Sequence, residues 1–160
     1  MTIVAPAGEW VDGIFHFPIR VYYEDTDVGG MAYHGRYVSF FERVRSESIR
    51  DTAADIDFLF NIPEEEGGPL TYVVSKLNIS YQKQSKVNDL LTGHSMVTKV
   101  RAAAIEVKQW IMRGGEMIAE ADVLVAVVGD DGRPKRWHPA AKACWQEWMD
   151  AANAAGHLQK

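Results

Sequence analysis

Between residues 14 and 24 apolar and polar positions alternate. Phe15, Phe17, Ile19, Val21 and Tyr23 fall on one face, and His16, Arg20, Tyr22 and Glu24 on the other. Period two over this length predicts a half-buried strand. Pro18 has no N–H, which suits a sheet edge or a bulge. From about Gly35 to Ala53 the period changes. Tyr37, Phe40, Phe41, Val44 and Ser48 recur at spacings of three and four, predicting a helix with one buried aromatic stripe. Glu42, Arg43, Glu47 and Arg50 take the solvated side, where Arg43 with Glu47 and Glu47 with Arg50 are expected to form weak ion pairs. Residues 70–82, 90–100, 104–112 and 117–128 read as strands, with Leu77, Ile79 and Tyr81 opposed to Asn78, Ser80 and Gln82. Gly114-Gly115 predicts a hairpin turn, and Asp131-Gly132 a second turn. The glutamate run within 63–69 reads as a solvated loop. Pro139 opens a terminal helix carrying Trp145, Trp148 and Met149.

These elements predict three segments: a loose arm over 1–13, one domain over 14–138, and a terminal helix and tail over 139–160. The order, strand then long helix then four antiparallel strands, is an α+β layout in which the helix buries its stripe on one sheet face. One layer of helix leaves cover wanting, which a second copy or the terminal helix would supply. The 160 residues are 47% hydrophobic, enough for one core and against disorder. A net charge of −5 lacks the basic footprint of a nucleic-acid binder, so any anionic ligand must be met by local cations. The single Cys144 excludes a disulfide framework and offers no zinc spacing, which suits a reducing cytoplasm. The first residues lack the features of a secretory signal, and no uninterrupted apolar run is long enough to span a membrane.

The richest segment for chemistry is Arg20 to His34, where a strand ends, a glycine-bearing turn follows and a helix begins. Free N–H groups and the positive end of the helix dipole gather at such a place. They suit an anion, or a carbonyl oxygen that becomes anionic during reaction. An aspartate on the same turn can attack an acyl carbon or activate water, and His34 can orient a group or move a proton. Each residue also has a structural reading. Asp25 and Asp27 fit turn and helix-cap roles, Gly29 and Gly30 the turn, Tyr33 and Tyr37 packing.

The run Tyr23-Glu24-Asp25-Thr26-Asp27-Val28-Gly29-Gly30-Met31-Ala32-Tyr33-His34-Gly35-Arg36-Tyr37, followed by Phe40-Phe41-Glu42-Arg43, resembles the signature of the 4-hydroxybenzoyl-CoA thioesterase family. It is most similar to the branch associated with the Tol-Pal system. Ser80-Tyr81 through Asn88-Asp89-Leu90-Leu91 and Glu120 through Val125 extend the likeness, so that it covers roughly residues 15–140. The resemblance implies a hotdog fold, an antiparallel sheet wrapped around one long helix. It also implies homodimers, often paired into homotetramers, with the site at a subunit interface. The reaction implied is hydrolysis of an acyl-CoA to a carboxylic acid and free CoA. Asp27 then matches the catalytic aspartate, as nucleophile or general base. His34 matches the branch's histidine, its backbone N–H polarising the thioester carbonyl. Gly30 and Tyr33 count as substrate-binding, and Lys99 and Arg101 as cations for the CoA phosphates, with Arg133, Lys135 and Arg136 as further candidates. No metal and no cofactor are expected, CoA being part of the substrate, and an acyl carrier protein is a further partner. Two departures stand out. Gln84 replaces the branch's usual proline, and Ala102-Ala103-Ala104 stands where hydroxyl residues are usual. An acyl dehydratase, and a non-catalytic acyl-CoA or acyl-carrier-protein scaffold, are the alternatives. Glu42 reads as a helix-surface residue and Cys144 as a small core residue.

Overall fold

The computed structural model describes residues 5 and 7–159. Its strands are β1 (Glu9–Val11), β2 (Ile14–Arg20), β3 (Leu70–Tyr81), β4 (Leu90–Val100), β5 (Ala104–Arg113) and β6 (Glu116–Gly129). Its helices are α1 (Arg36–Ile49), α2 (Ile56–Phe60) and α3 (Pro139–Ala154). The six strands form one sheet in the order β1-β2-β4-β5-β6-β3, every neighbouring pair antiparallel. This is the α+β hotdog layout.

The helical stripe of α1 lies on the concave face of the sheet. Phe40, Phe41 and Val44 are fully buried, and burying each side chain contributes about 1.5–3 kcal/mol. They meet the inward positions of β5, Ile105, Val107 and Ile111, among which Gln109 is fully buried as well. Its amide donates to the Phe41 carbonyl at 3.0 Å and accepts from Arg45 at 2.7 Å, so a polar side chain ties helix to sheet with both ends satisfied. The helix comes close to Gly93 on β4, where a Cβ would sit 2.4 Å from a Val44 methyl. Pro18 falls beyond the end of β1, where β2 pairs only with β4 and a missing N–H leaves no gap in a ladder.

Five local expectations differ from the structure. Strand β2 ends at Arg20 rather than 24, because the chain turns tightly over Tyr23–Asp25 and leaves Tyr23 exposed instead of half-buried. Residues 9–11 form β1 rather than part of a loose arm, because Trp10 is anchored: its indole donates to the Ser48 carbonyl at 3.1 Å and stacks on Trp148 at 4.5 Å. Residues 1–4 and 6 of that arm, and Lys160 of the tail, lie outside the described residues. Helix α1 stops at Ile49 rather than 53, since Asp51 takes φ of 58° and its N–H turns to the Asp55 carboxylate. The five-residue α2 seats Leu59 in the core and is too short to show a period. Arg43 lies over the Phe40 ring at 5.8 Å, while Glu47 pairs with Arg50 alone. Helix α3 packs Ala141 and Trp145 into the same core as the sheet. No helix among the described residues is long and apolar enough to cross a membrane.

Candidate active site

Strand β2 runs out at Arg20, but its pairing continues: Val21 donates to the Asp89 carbonyl and accepts from Asn88. The chain then makes one tight turn, Tyr23–Asp25. Asp25 is 1% exposed. Its carboxylate accepts the Tyr22 N–H at 2.8 Å and lies 3.2 Å from Arg36 Nε at the start of α1. The Arg36 guanidinium also donates to the Glu24 carbonyl, and the Asp25 carbonyl accepts from Tyr33. Asp25 is therefore the structural aspartate of the pair, binding the turn to the helix it precedes.

Asp27 is placed differently. Its side chain is exposed. Oδ1 accepts from Gly29 N–H at 2.8 Å and Met31 N–H at 3.4 Å. Among the described residues none donates to Oδ2 and no cation pairs with the carboxylate. The turn closes with Gly30 donating to the Asp27 carbonyl at φ of 74°, a left-handed angle that favours glycine. Ala32 then donates to the Ser85 carbonyl and Met31 bridges to Lys86, so the turn is clamped to the loop between β3 and β4.

The result is an open cleft of about 350 Å³ lined by Asp27, Met31, Ala32, His34, Tyr37, Tyr81, Gln82, Lys83 and Gln84. At its helix side the first-turn amides are used locally: Arg36, Tyr37 and Val38 donate to the carbonyls of Tyr33, His34 and Gly35. The amides of His34 and Gly35 find no acceptor among the described residues. The Tyr81 hydroxyl donates to the His34 carbonyl at 3.0 Å, holding the peptide that carries the Gly35 N–H. Burial, with Tyr37 adding to it, pushes the Tyr81 hydroxyl above its ordinary value, so it stays a donor. Tyr37 shares a 2.6 Å hydrogen bond with Ser85 beneath. A carboxylate with no cation partner among the described residues thus shares one cleft with His34, whose backbone N–H is free at the positive end of a helix. That combination can polarise a carbonyl while a nucleophile or base works beside it.

The residues singled out from sequence do not all meet. Asp27 and His34 line the cleft together. Gly30 serves the turn, and the Tyr33 ring leans on His34 with centroids 4.4 Å apart, outside the cleft lining. Lys99 and Arg101 lie at the opposite end of β4, which opens beside the cleft at Leu90, roughly 30 Å away along the strand. There Arg101 pairs with Glu106. Arg101's hydrogen bond holds the Glu106 carboxyl below its ordinary value. Gln84, the departure from proline, gives its carbonyl to Arg113 at 3.1 Å. The carbonyls of Ala102, Ala103 and Ala104 accept from Trp137, Val127 and the Trp137 indole, so this turn works through its backbone. Lys83, Tyr81 as an orienting donor, and Ser85 were not foreseen. The alternation ending at Tyr81 marks a strand, and nothing local says which end of it meets the helix.

Residues 29–120 match the model of the Thioesterase superfamily. The acyl-CoA thioesterase YbgC of Haemophilus influenzae is 43% identical over 125 residues, 78% of this chain and 88% of that protein. The chain belongs to the thioesterase superfamily. The acyl-CoA thioester hydrolase YbgC of Escherichia coli O6:H1 is 34% identical over 116 residues, 72% of this chain and 82% of that one. Among solved structures, a probable thioesterase from Bartonella henselae superposes with a TM-score of 0.72 at 35% identity, covering 78% of this chain and 98% of the other. The superfamily's hotdog fold and its class of activity, thioester hydrolysis, are those of this chain, and they agree with the resemblance carried by the Asp27–His34 turn.

Proposed function

We propose that this thioesterase hydrolyses an acyl-CoA to a carboxylic acid and free CoA in the cleft at the N-terminus of α1. The thioester oxygen would take the free amides of His34 and Gly35. Charge grows on that oxygen in the transition state, so donors fixed in advance lower the barrier, one donor being worth about 3–4 kcal/mol. Asp27 Oδ2, the oxygen without a hydrogen bond, attacks the acyl carbon to give a mixed anhydride that water opens, or takes a proton from the attacking water. The CoA thiolate leaves in either case. The His34 imidazole orients the water or protonates the thiolate, a lesser role because a thiolate leaves readily. The observation that carries this reading is that Asp27, whose carboxylate has no cation partner among the described residues, and His34, whose amide has no acceptor among them, line one cleft at the helix start.

The sheet supports a homodimer as the working unit. Strand β3 ends the strand order, so one edge of it is unpaired, with Val73 and Val74 nearly half exposed. Two such edges joined about a two-fold axis run antiparallel. That arrangement brings the Lys99–Arg101 end of one sheet to the Asp27 end of the other, where CoA phosphates need cations. On this reading a homodimer is the smallest unit that brings both to one substrate.

A panel of acyl-CoAs with a thiol-reactive dye tests the reaction. We expect thiol release that falls about 10²- to 10⁴-fold in Asp27→Asn, and less in His34→Ala. Undiminished release by Asp27→Asn would refute the assignment. Acyl-CoA binding without release by the unaltered protein would instead favour the scaffold.

A further inference from the structure

The loop between β3 and β4 holds both halves of the cleft, and it does so through one buried residue. Ser85 is 1% exposed. Its carbonyl accepts the Ala32 N–H at 2.8 Å. Its hydroxyl shares the 2.6 Å hydrogen bond with the hydroxyl of Tyr37, the second residue of α1, which is buried too. One side of Ser85 therefore holds the turn, and the other holds the helix.

On the turn side the connection to Asp27 is short. Ala32 follows Met31, whose N–H reaches Asp27 Oδ1 at 3.4 Å and whose carbonyl accepts the Asp27 N–H at 2.8 Å. On the helix side, the Tyr37 N–H donates to the His34 carbonyl at 3.3 Å, in the peptide that carries the Gly35 amide. Among the described residues, the other hydrogen bonds and ion pairs that leave residues 33–37 for the rest of the fold run to Glu24, Asp25 and Tyr81, none of which lies between Asp27 and Ala32. The loop is braced on both sides of Ser85. Arg113 donates to the Gln84 carbonyl at 3.1 Å and to the Asp89 carboxylate at 2.7 Å, which also accepts the Lys86 N–H at 3.0 Å. The Gln82 and Lys83 amides both donate to the Ile118 carbonyl. Ser85 thus stands on a fixed segment, and a fixed anchor can set two other parts relative to each other.

We propose that Ser85 is a positioning residue for thioester hydrolysis: through its carbonyl and its hydroxyl it sets the spacing between the Asp27 carboxylate and the His34 amide. Ser85 does not line the cleft and acts through Ala32 and Tyr37. The inference rests on the assignment of Asp27 and His34 to the reaction given above. Fixed donors lower the barrier only where the developing charge meets them, and a misplacement of about 1 Å can cost on the order of 10²-fold in rate. Ser85→Ala keeps the carbonyl and releases Tyr37, so the helix start gains freedom while the turn stays held.

The test follows thiol release from benzoyl-CoA, hexanoyl-CoA and palmitoyl-CoA by the full-length protein and its variants, well below the Tm of each. On the fastest of the three substrates we expect Ser85→Ala and Tyr37→Phe each to lower kcat about tenfold, with KM changed less than about twofold. Ser85→Ala/Tyr37→Phe should be no slower than the slower single variant, because both substitutions remove the same hydrogen bond. A role in stability alone would lower Tm and leave kcat at that temperature unchanged, and independent roles would multiply to about 100-fold in the double variant. Either result would overturn the proposal, and a slow Asp27→Asn enzyme beside it would leave the assignment of the cleft standing. Full turnover by Asp27→Asn would overturn both. If Ser85→Ala does not fold, Tyr37→Phe breaks the same bond from the other side, and its kcat and KM decide alone.

Discussion

Gly93 sets the distance between α1 and the sheet, and replacing it with alanine tests how tightly that distance is coupled to turnover. A Cβ at Gly93 would lie 2.4 Å from Val44 Cγ2 and 2.9 Å from Ile19 Cδ1, where ordinary contact begins at 3.4 Å. The helix must therefore yield by about 1 Å. Val44 cannot turn aside, because a β-branched side chain in a helix has essentially one rotamer. Overpacking of this kind costs about 1–3 kcal/mol, which for a chain of this size lowers Tm by roughly 2–12 °C. The turn bearing Asp27 is held by the β3–β4 loop, not by α1 alone. Lifting α1 thus moves the His34 and Gly35 amides relative to Asp27, and a misplacement of about 1 Å can cost on the order of 10²-fold in rate. Val44→Ala removes two buried methyl groups and costs about 2 kcal/mol by itself. It also removes the obstacle, so Gly93→Ala/Val44→Ala should be at least about 1 kcal/mol more stable than the sum of the singles. Turnover should recover with it. Urea unfolding and thioester turnover on all four proteins supply the cycle. Strictly additive stabilities, or a Gly93→Ala enzyme as stable and fast as the parent, would refute the reasoning.

Arg36→Met leaves the Asp25 carboxylate buried without its cation and should cost about 3–5 kcal/mol in urea unfolding; Asp25→Asn in the same chain should restore part of that. Tyr81→Phe removes the donor to the His34 carbonyl, worth about 0.5–1.5 kcal/mol, so kcat should fall roughly three- to tenfold with little change in Tm. For Asp89, burial opposes ionisation, but hydrogen bonds from the Lys86 N–H and Arg113 outweigh it and hold the carboxyl below its ordinary value. Its stabilising contribution is present above the unfolded carboxyl's pKa near 4 and is lost as pH falls through the lower folded value. Asp89→Asn should therefore flatten the acid limb of stability against pH. His94 is lowered by burial and then by His16 beside it, so it stays neutral in the fold while the unfolded imidazole charges near pH 6.5. Stability should drop on acidification below that point, and His94→Phe should remove this part of the drop.

The elements that were legible in the sequence are those whose signal is local. The alternation in β2 and the three-four stripe of α1 each signal one element; the stripe lies wholly within α1, while β2 stops at Arg20, short of the alternation's end at Glu24. Residues 9–11 show no such period, because β1 is held by Trp10 reaching the Ser48 carbonyl and Trp148, partners 38 and 138 positions away in the chain. The same division runs through the site. Asp27 and His34 are seven residues apart, and one turn is enough to bring them to one cleft. Tyr81 is 47 residues from His34, and only the register of β3 against β6 decides that it arrives at the helix start. Lys99 and Arg101 mark the limit of reasoning from charge. A polyanionic ligand calls for cations, but β4 runs away from the cleft and carries these two to the far end of the sheet. At the near end, Lys83 and Arg113 are already met by Glu116 and Asp89. Arg101 is likewise met by Glu106, so a count of cations in the sequence could not tell which of them face the cleft.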